Sequence, residues 1–85
     1  MTTPVVNVDE RVKDVSFDED SITVFLMDGR AISVPLVWYP RLYHATLEQR
    51  EAWGICGGGY GLHWEDIDED LSTEGMLRGA PAPAT

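Results

Sequence analysis

The chain has 85 residues and a formal charge of -9, from six Lys and Arg against fifteen Asp and Glu. That length holds one domain, which withdraws only roughly 60–65% of its extended surface from water, and it leaves no room for a second. The charge repels phosphate backbones and attracts basic partners, so direct nucleic-acid binding is disfavoured.

With 44% hydrophobic residues the chain can build a small core instead of staying disordered. The single cysteine, Cys56, excludes an internal disulfide. Met1 to Val8 lacks the basic region and apolar run of a signal peptide, and no stretch approaches the roughly 20 apolar residues of a membrane span. The expectation is a cytoplasmic protein.

In chain order, Met1 to Asp9 is a lead-in whose Val5, Val6 and Val8 extend toward a first strand from about Arg11 to Phe17, with Val15 and Phe17 on one face. Asp18-Glu19-Asp20-Ser21 is turn-forming. Ile22 to Met27 is β-branched and aromatic, suited to a central strand. Asp28-Gly29 is a hairpin signal of the two-residue type I′ kind, which needs positive φ at both positions. The third strand, Arg30 to Leu36, points Ile32, Val34 and Leu36 one way and Ala31, Ser33 and Pro35 the other. Pro35 cannot donate to a ladder and marks an edge or a strand end.

Pro40 suits the first position of a helical turn through Arg41, Leu42 and Tyr43. Thr46 followed by Gln49 matches a capping box, which predicts a helix from Leu47 to Trp53 that stops at Gly54. Gly57-Gly58-Gly59 reads as a connector into a short strand with Tyr60, Leu62 and Trp64 on one face. Glu65 to Asp70 is acidic, with Ile67 as its apolar anchor. Ser72 caps a last helical turn through Leu77, with Gly79 as the stop, and Ala80 to Thr85 is a disordered Ala/Pro tail. The expected architecture is a single α+β domain over residues 1–79. It is a small antiparallel sheet, a three-stranded meander plus a short fourth strand, with one or two short helices packed on it.

Candidate chemistry is thin. The glycine cluster at Gly57 to Gly61 lacks the Gly-Lys-Ser/Thr ending of a phosphate loop and runs into negative sequence. Cys56, with His44 or His63 and Asp66, supplies the residue types of a nucleophile, base and orienter, but any small protein offers such a set, and a plain apolar thiol is the simpler reading. Three nitrogen and sulfur ligands are too few for structural zinc. Asp66-x-Asp68-x-Asp70 opens like a calcium loop, then places Leu71 where the glycine belongs and Leu77 where the bidentate Glu belongs. No catalytic residue, metal or cofactor is expected.

Two readings of the acidic stretch stay open: a solvated turn, or a docking patch for arginines and lysines through Asp66, Asp68, Glu69 and Asp70. Trp53 and Trp64 are expected in the core. Trp38 and Tyr39, beside Pro40 and Arg41, are interface candidates because aromatics and arginine are enriched where proteins meet. Arg41 and Arg50 are equally suited to pairing with the chain's own acids.

The series Asp28-Gly29-Arg30, Val34-Pro35-Leu36, Trp38-Tyr39-Pro40-Arg41-Leu42, Ala45-Thr46, Gln49-Arg50, Trp53, Gly61-Leu62-His63-Trp64, Asp68-Glu69-Asp70-Leu71 and Gly75-Met76-Leu77-x-Gly79 resembles the small bacterial family known as domain of unknown function 2442, over about residues 10 to 79. The resemblance implies an α+β domain with an antiparallel sheet and short helices. Some members resemble antitoxin partners of small toxin-like proteins, and others carry a C-terminal helix-turn-helix, which is not expected after Ala80 to Thr85 here. The resulting expectation is a non-catalytic, antitoxin-like interaction module that holds a small basic protein through an acidic surface and an aromatic rim. Homodimerisation through an edge strand is compatible with it. The alternatives are an acidic mimic of nucleic acid that inhibits a nucleic-acid-binding protein, and a small ligand-binding or regulatory subunit.

Overall fold

The computed structural model describes residues 7–79. The expectations for Val5 and Val6 and for the Ala/Pro tail lie outside the described residues. The α+β class holds, but the strands form two antiparallel sheets of three, not one sheet of four.

The first sheet is the expected meander, β1 (Val12–Phe17), β2 (Ser21–Leu26) and β3 (Ala31–Pro35) in that spatial order. Its inner face carries Val12, Val15, Ile22, Val24, Leu26 and Val34, all buried. On its outer face Ser16, Thr23 and Ser33 stand in one row across the three strands, beside a row of Asp14, Phe25 and Ala31, and the Thr23 and Ser33 hydroxyls are 2.6 Å apart. A bulge between Val12 and Asp14 accommodates Lys13 and keeps Val12 and Val15 both facing the core.

The β2–β3 hairpin differs from expectation in its loop. Gly29 N–H donates to the Leu26 carbonyl at 3.1 Å, and Leu26 N–H donates to the Arg30 carbonyl at 2.8 Å. The loop therefore has three residues, Met27 to Gly29, and only Gly29 takes a positive φ, 95°. Asp28 contributes its carboxylate instead of a left-handed backbone. That carboxylate, its side chain 5% exposed, pairs with the Arg30 guanidinium at 2.8 Å and accepts from the Asp9 N–H at 3.0 Å. The Arg30 hydrogen bonds, followed by the Asp9 N–H, hold it far below the usual carboxylate range.

The loop's stability is therefore linked to acid. A carboxylate whose folded pKa is depressed contributes stability above its unfolded pKa, and that contribution is lost as pH falls below about 4. Asp28→Asn is expected to lower the melting temperature at pH 7 by a margin that narrows as pH falls from about 4 toward 2, in thermal unfolding followed by circular dichroism. An unchanged gap at both pH values would contradict the linkage.

After β3, a 3₁₀ turn (Leu36–Trp38) and two short helices, α1 (Pro40–Tyr43) and α2 (Leu47–Glu51), carry the chain to the second sheet. Pro40 opens α1 as read. The capping box is present in both directions: Thr46 Oγ1 accepts from Gln49 N–H at 3.1 Å, and Gln49 Oε1 accepts from Thr46 N–H at 3.0 Å. α2 stops earlier than expected, with Ala52 as its cap. Trp53 and Gly54, expected as the helix end and its stop, instead open a strand that runs on through Ile55 and Cys56.

The second sheet runs β4 (Trp53–Cys56), β5 (Gly61–Trp64) and β6 (Glu69–Ser72), again in chain order. Trp53 stands opposite Trp64, and Trp64 opposite Glu69. Leu62, Trp64 and Leu71 turn inward and share one core cluster with the first sheet's inner face, Leu36, Tyr39, Leu42 and Met76. α3 (Thr73–Arg78) follows with Ser72 Oγ accepting from Gly75 N–H at 3.0 Å. Gly79 ends it at φ 72°, a conformation that favours glycine, beside the Trp38 ring.

Candidate interaction surface

The acidic stretch forms the turn between β5 and β6 and the start of β6. Glu65, Asp66 and Asp68 are exposed, Ile67 is half-buried against the core, and Asp68 takes a positive φ of 52°. Arg41, on exposed α1, donates to the Asp68 carbonyl and so ties α1 to the turn. Asp70, on the outer face of β6, accepts at 2.7 Å from His63 Nδ1 on β5. Arg41, Asp66, Asp68 and Asp70 are thus exposed on or against one end of the second sheet.

Two expected members of the surface are placed elsewhere. Glu69 is 7% exposed, because strand alternation turns it inward with Leu71. Tyr39 is 1% exposed: it is the N-cap of α1, outside the helical turn, and its non-helical backbone lets its ring join Leu42 in the core. Trp38 is half-buried, packed on the core and beside Gly79. The exposed aromatic of α1 is Tyr43, 45% exposed, edge-on to His44 at 5.1 Å. Its placement was readable from Leu42: in a single turn, the neighbours of the inward residue point out.

The arginines divide into two groups. Arg11 is paired with Asp9 at 2.6 Å, Arg30 with Asp28 and Glu10, and Arg78 with Glu74 at 3.7 Å. Arg41 and Arg50 instead hydrogen-bond to backbone carbonyls: Arg50 Nε reaches Leu42 at 2.9 Å and its Nη2 reaches Tyr43 at 2.8 Å. Glu65, Asp66 and Asp68 therefore have no ion pair among the described residues. Their field is directed at solvent, where a cation can meet it.

The remaining candidates do not assemble into an enclosed site. Cys56 is exposed on the outer face of β4, its Sγ lying over Gly61, and His63 stands opposite Gly54, two residues out of register with it. His44 ends α1. Among the described residues no three His, Cys, Asp or Glu side chains converge to hold a metal ion.

Behind the turn lies a buried polar pair. The Tyr39 hydroxyl has no hydrogen-bond partner among the described residues. Burial, and secondarily the Glu69 charge, push its pKa upward. Stability should fall above about pH 10, where the unfolded chain ionises this hydroxyl and the folded one holds it neutral. An unsatisfied buried hydroxyl costs about 1–3 kcal/mol, so Tyr39→Phe is expected to stabilise the fold by about 1 kcal/mol in urea denaturation. A loss of that size would mean that the hydroxyl is satisfied in solution.

The molecule is therefore an α+β module of two small sheets on one core, open on its acidic side. The chain belongs to the family described as protein of unknown function (DUF2442), whose family model matches residues 12–82. It is similar to a protein of unknown function from Rhodospirillum rubrum, known from a crystal structure, at 33% identity and a TM-score of 0.74, over 91% of this chain and 94% of that one. It is also similar to an uncharacterized protein from Chromobacterium violaceum, known from a solution NMR structure, at 28% identity and a TM-score of 0.73, over 87% of this chain and 70% of that one. No curated protein matches it.

Proposed function

We propose that this protein is a non-catalytic, antitoxin-like interaction module that holds a small basic protein in the cytoplasm. The observation carrying this reading is the set of exposed carboxylates at Glu65, Asp66 and Asp68, unpaired among the described residues of a chain with a charge of -9. Arg41 and the half-buried Ile67 hold their turn against the core, so the charges are presented on a fixed support. Tyr43 supplies an exposed aromatic on α1, the same helix that carries Arg41. Among the described residues no helix is long and apolar enough to cross a membrane.

Affinity capture from the native host with the tagged full chain, followed by mass spectrometry, tests the proposal. The expected result is one stoichiometric basic protein that elutes as salt is raised. Recovery of no basic partner at low salt would contradict it. Preloading the captured partner with DNA or RNA separates a neutralising module, which still binds, from a mimic of nucleic acid, which is displaced.

A further inference from the structure

The two sheets present four edge strands, β1, β3, β4 and β6. Proteins blunt such edges with charge, proline, bulges or a covering element, because unpaired N–H and C=O groups otherwise recruit another strand. β1 has Lys13 and a bulge, β3 has Pro35 and contact with α3, and β6 has Glu69 and Asp70. Among the described residues β4, Trp-Gly-Ile-Cys, has none of these devices, and its Gly54, Ile55 and Cys56 are exposed. Ile55 is 50% exposed although its opposite residue, Leu62, is buried at 1%.

Charge specifies the occupant. β4 is entered from α2, which carries exposed Glu48 and Glu51, and its first residue stands opposite Trp64, which leads directly into Glu65 and Asp66. Carboxylates thus gather at the end where β4 begins, where Arg50 is held by the Leu42 and Tyr43 carbonyls, while the other end runs into Gly57–Gly59, against which Arg11, paired with Asp9, is packed. A second copy of this chain would bring another charge of -9 to the seam.

Resting on the interaction reading above, we infer that the basic partner docks by adding an extended segment to the free edge of β4, with an apolar side chain beside Ile55 and its lysines or arginines toward Glu51, Glu65 and Asp66. Backbone hydrogen bonds hold the segment, and the acids set its direction.

The experiment is an NMR titration of the ¹⁵N-labelled full chain with two synthetic peptides of equal charge, Lys-Val-Arg-Val-Lys-Val and Lys-Pro-Arg-Pro-Lys-Pro. The expected result is amide shifts at residues 53–56 and at Glu51 with the valine peptide only, weakened at least tenfold by Ile55→Lys. Should that variant fail to fold, N-methylation of the valine amides blocks the same bonds from the peptide side and is expected to abolish the shifts. Shifts confined to residues 65–70 with both peptides would overturn strand addition and leave the acidic docking surface intact. No shift at β4, or a sizing-column dimer that Ile55→Lys dissociates, would also overturn it.

Discussion

Trp64→Ala is expected to leave the chain largely unfolded. Trp64 is fully buried in the central strand of the second sheet, and its Nε1–H donates to the Arg50 carbonyl at 2.9 Å, tying β5 to α2. Truncation removes the largest fully buried side chain, and a Trp→Ala cavity costs about 3–5 kcal/mol. Leaving the Arg50 carbonyl without its donor adds about 1 kcal/mol. An 85-residue domain has roughly 4–13 kcal/mol in total, so the loss consumes much or all of it. Trp64→Phe, which keeps most of the apolar volume and loses the N–H, is expected to fold with a reduced urea midpoint. A parental midpoint for Trp64→Ala would mean that the second sheet does not depend on this core.

The second large effect is on binding. In the triple variant Glu65→Gln, Asp66→Asn, Asp68→Asn, three carboxylates become amides of nearly the same shape. The Asp68 carbonyl that Arg41 holds is retained, and Asn tolerates the positive φ of 52° at that position. Stability is expected to stay within about 0.5 kcal/mol of the parent, as for surface changes generally. Affinity for a basic partner is expected to fall on the order of 10- to 100-fold at low ionic strength, mainly through slower association. The gap should narrow near 1 M salt, where the Debye length shrinks to about 3 Å. Titration calorimetry and stopped-flow association at two salt concentrations read both quantities.

The first sheet was legible from alternation, since Ile22, Val24 and Leu26 alternate with Ser21, Thr23 and Phe25; Gly29 marked the place of the hairpin but not its three-residue loop. The caps at Thr46, Ser72 and Gly79 were legible because each satisfies groups that a helix end leaves free. The second sheet was hidden by its composition. Glu69-Asp70 opens β6 with residues that strands normally avoid, and Gly54 within β4 resembles a helix stop. What makes strands of both is pairing with β5, a tertiary contact that no local pattern reports.

The candidate surface was partly legible for a related reason. Charge clustering located Asp66, Asp68 and Asp70, but which acids face solvent depends on strand alternation, and that required β6 to be recognised first. Tyr39 and Tyr43 are four residues apart, a spacing that would put both on one face of a continuous helix; Tyr39 reaches the core and Tyr43 stays in water because Tyr39 is the N-cap, with a non-helical backbone that no local pattern reports.

In the proposed function, exposed carboxylates at the β5–β6 turn capture a cationic protein. The most direct measurement is the salt dependence of the dissociation constant for the captured partner, made in parallel on the parent chain and on the triple variant at residues 65, 66 and 68. A steep loss of affinity with salt is expected for the parent and a clearly shallower slope for the variant. Equal slopes, or tight binding by both that salt does not touch, would contradict it.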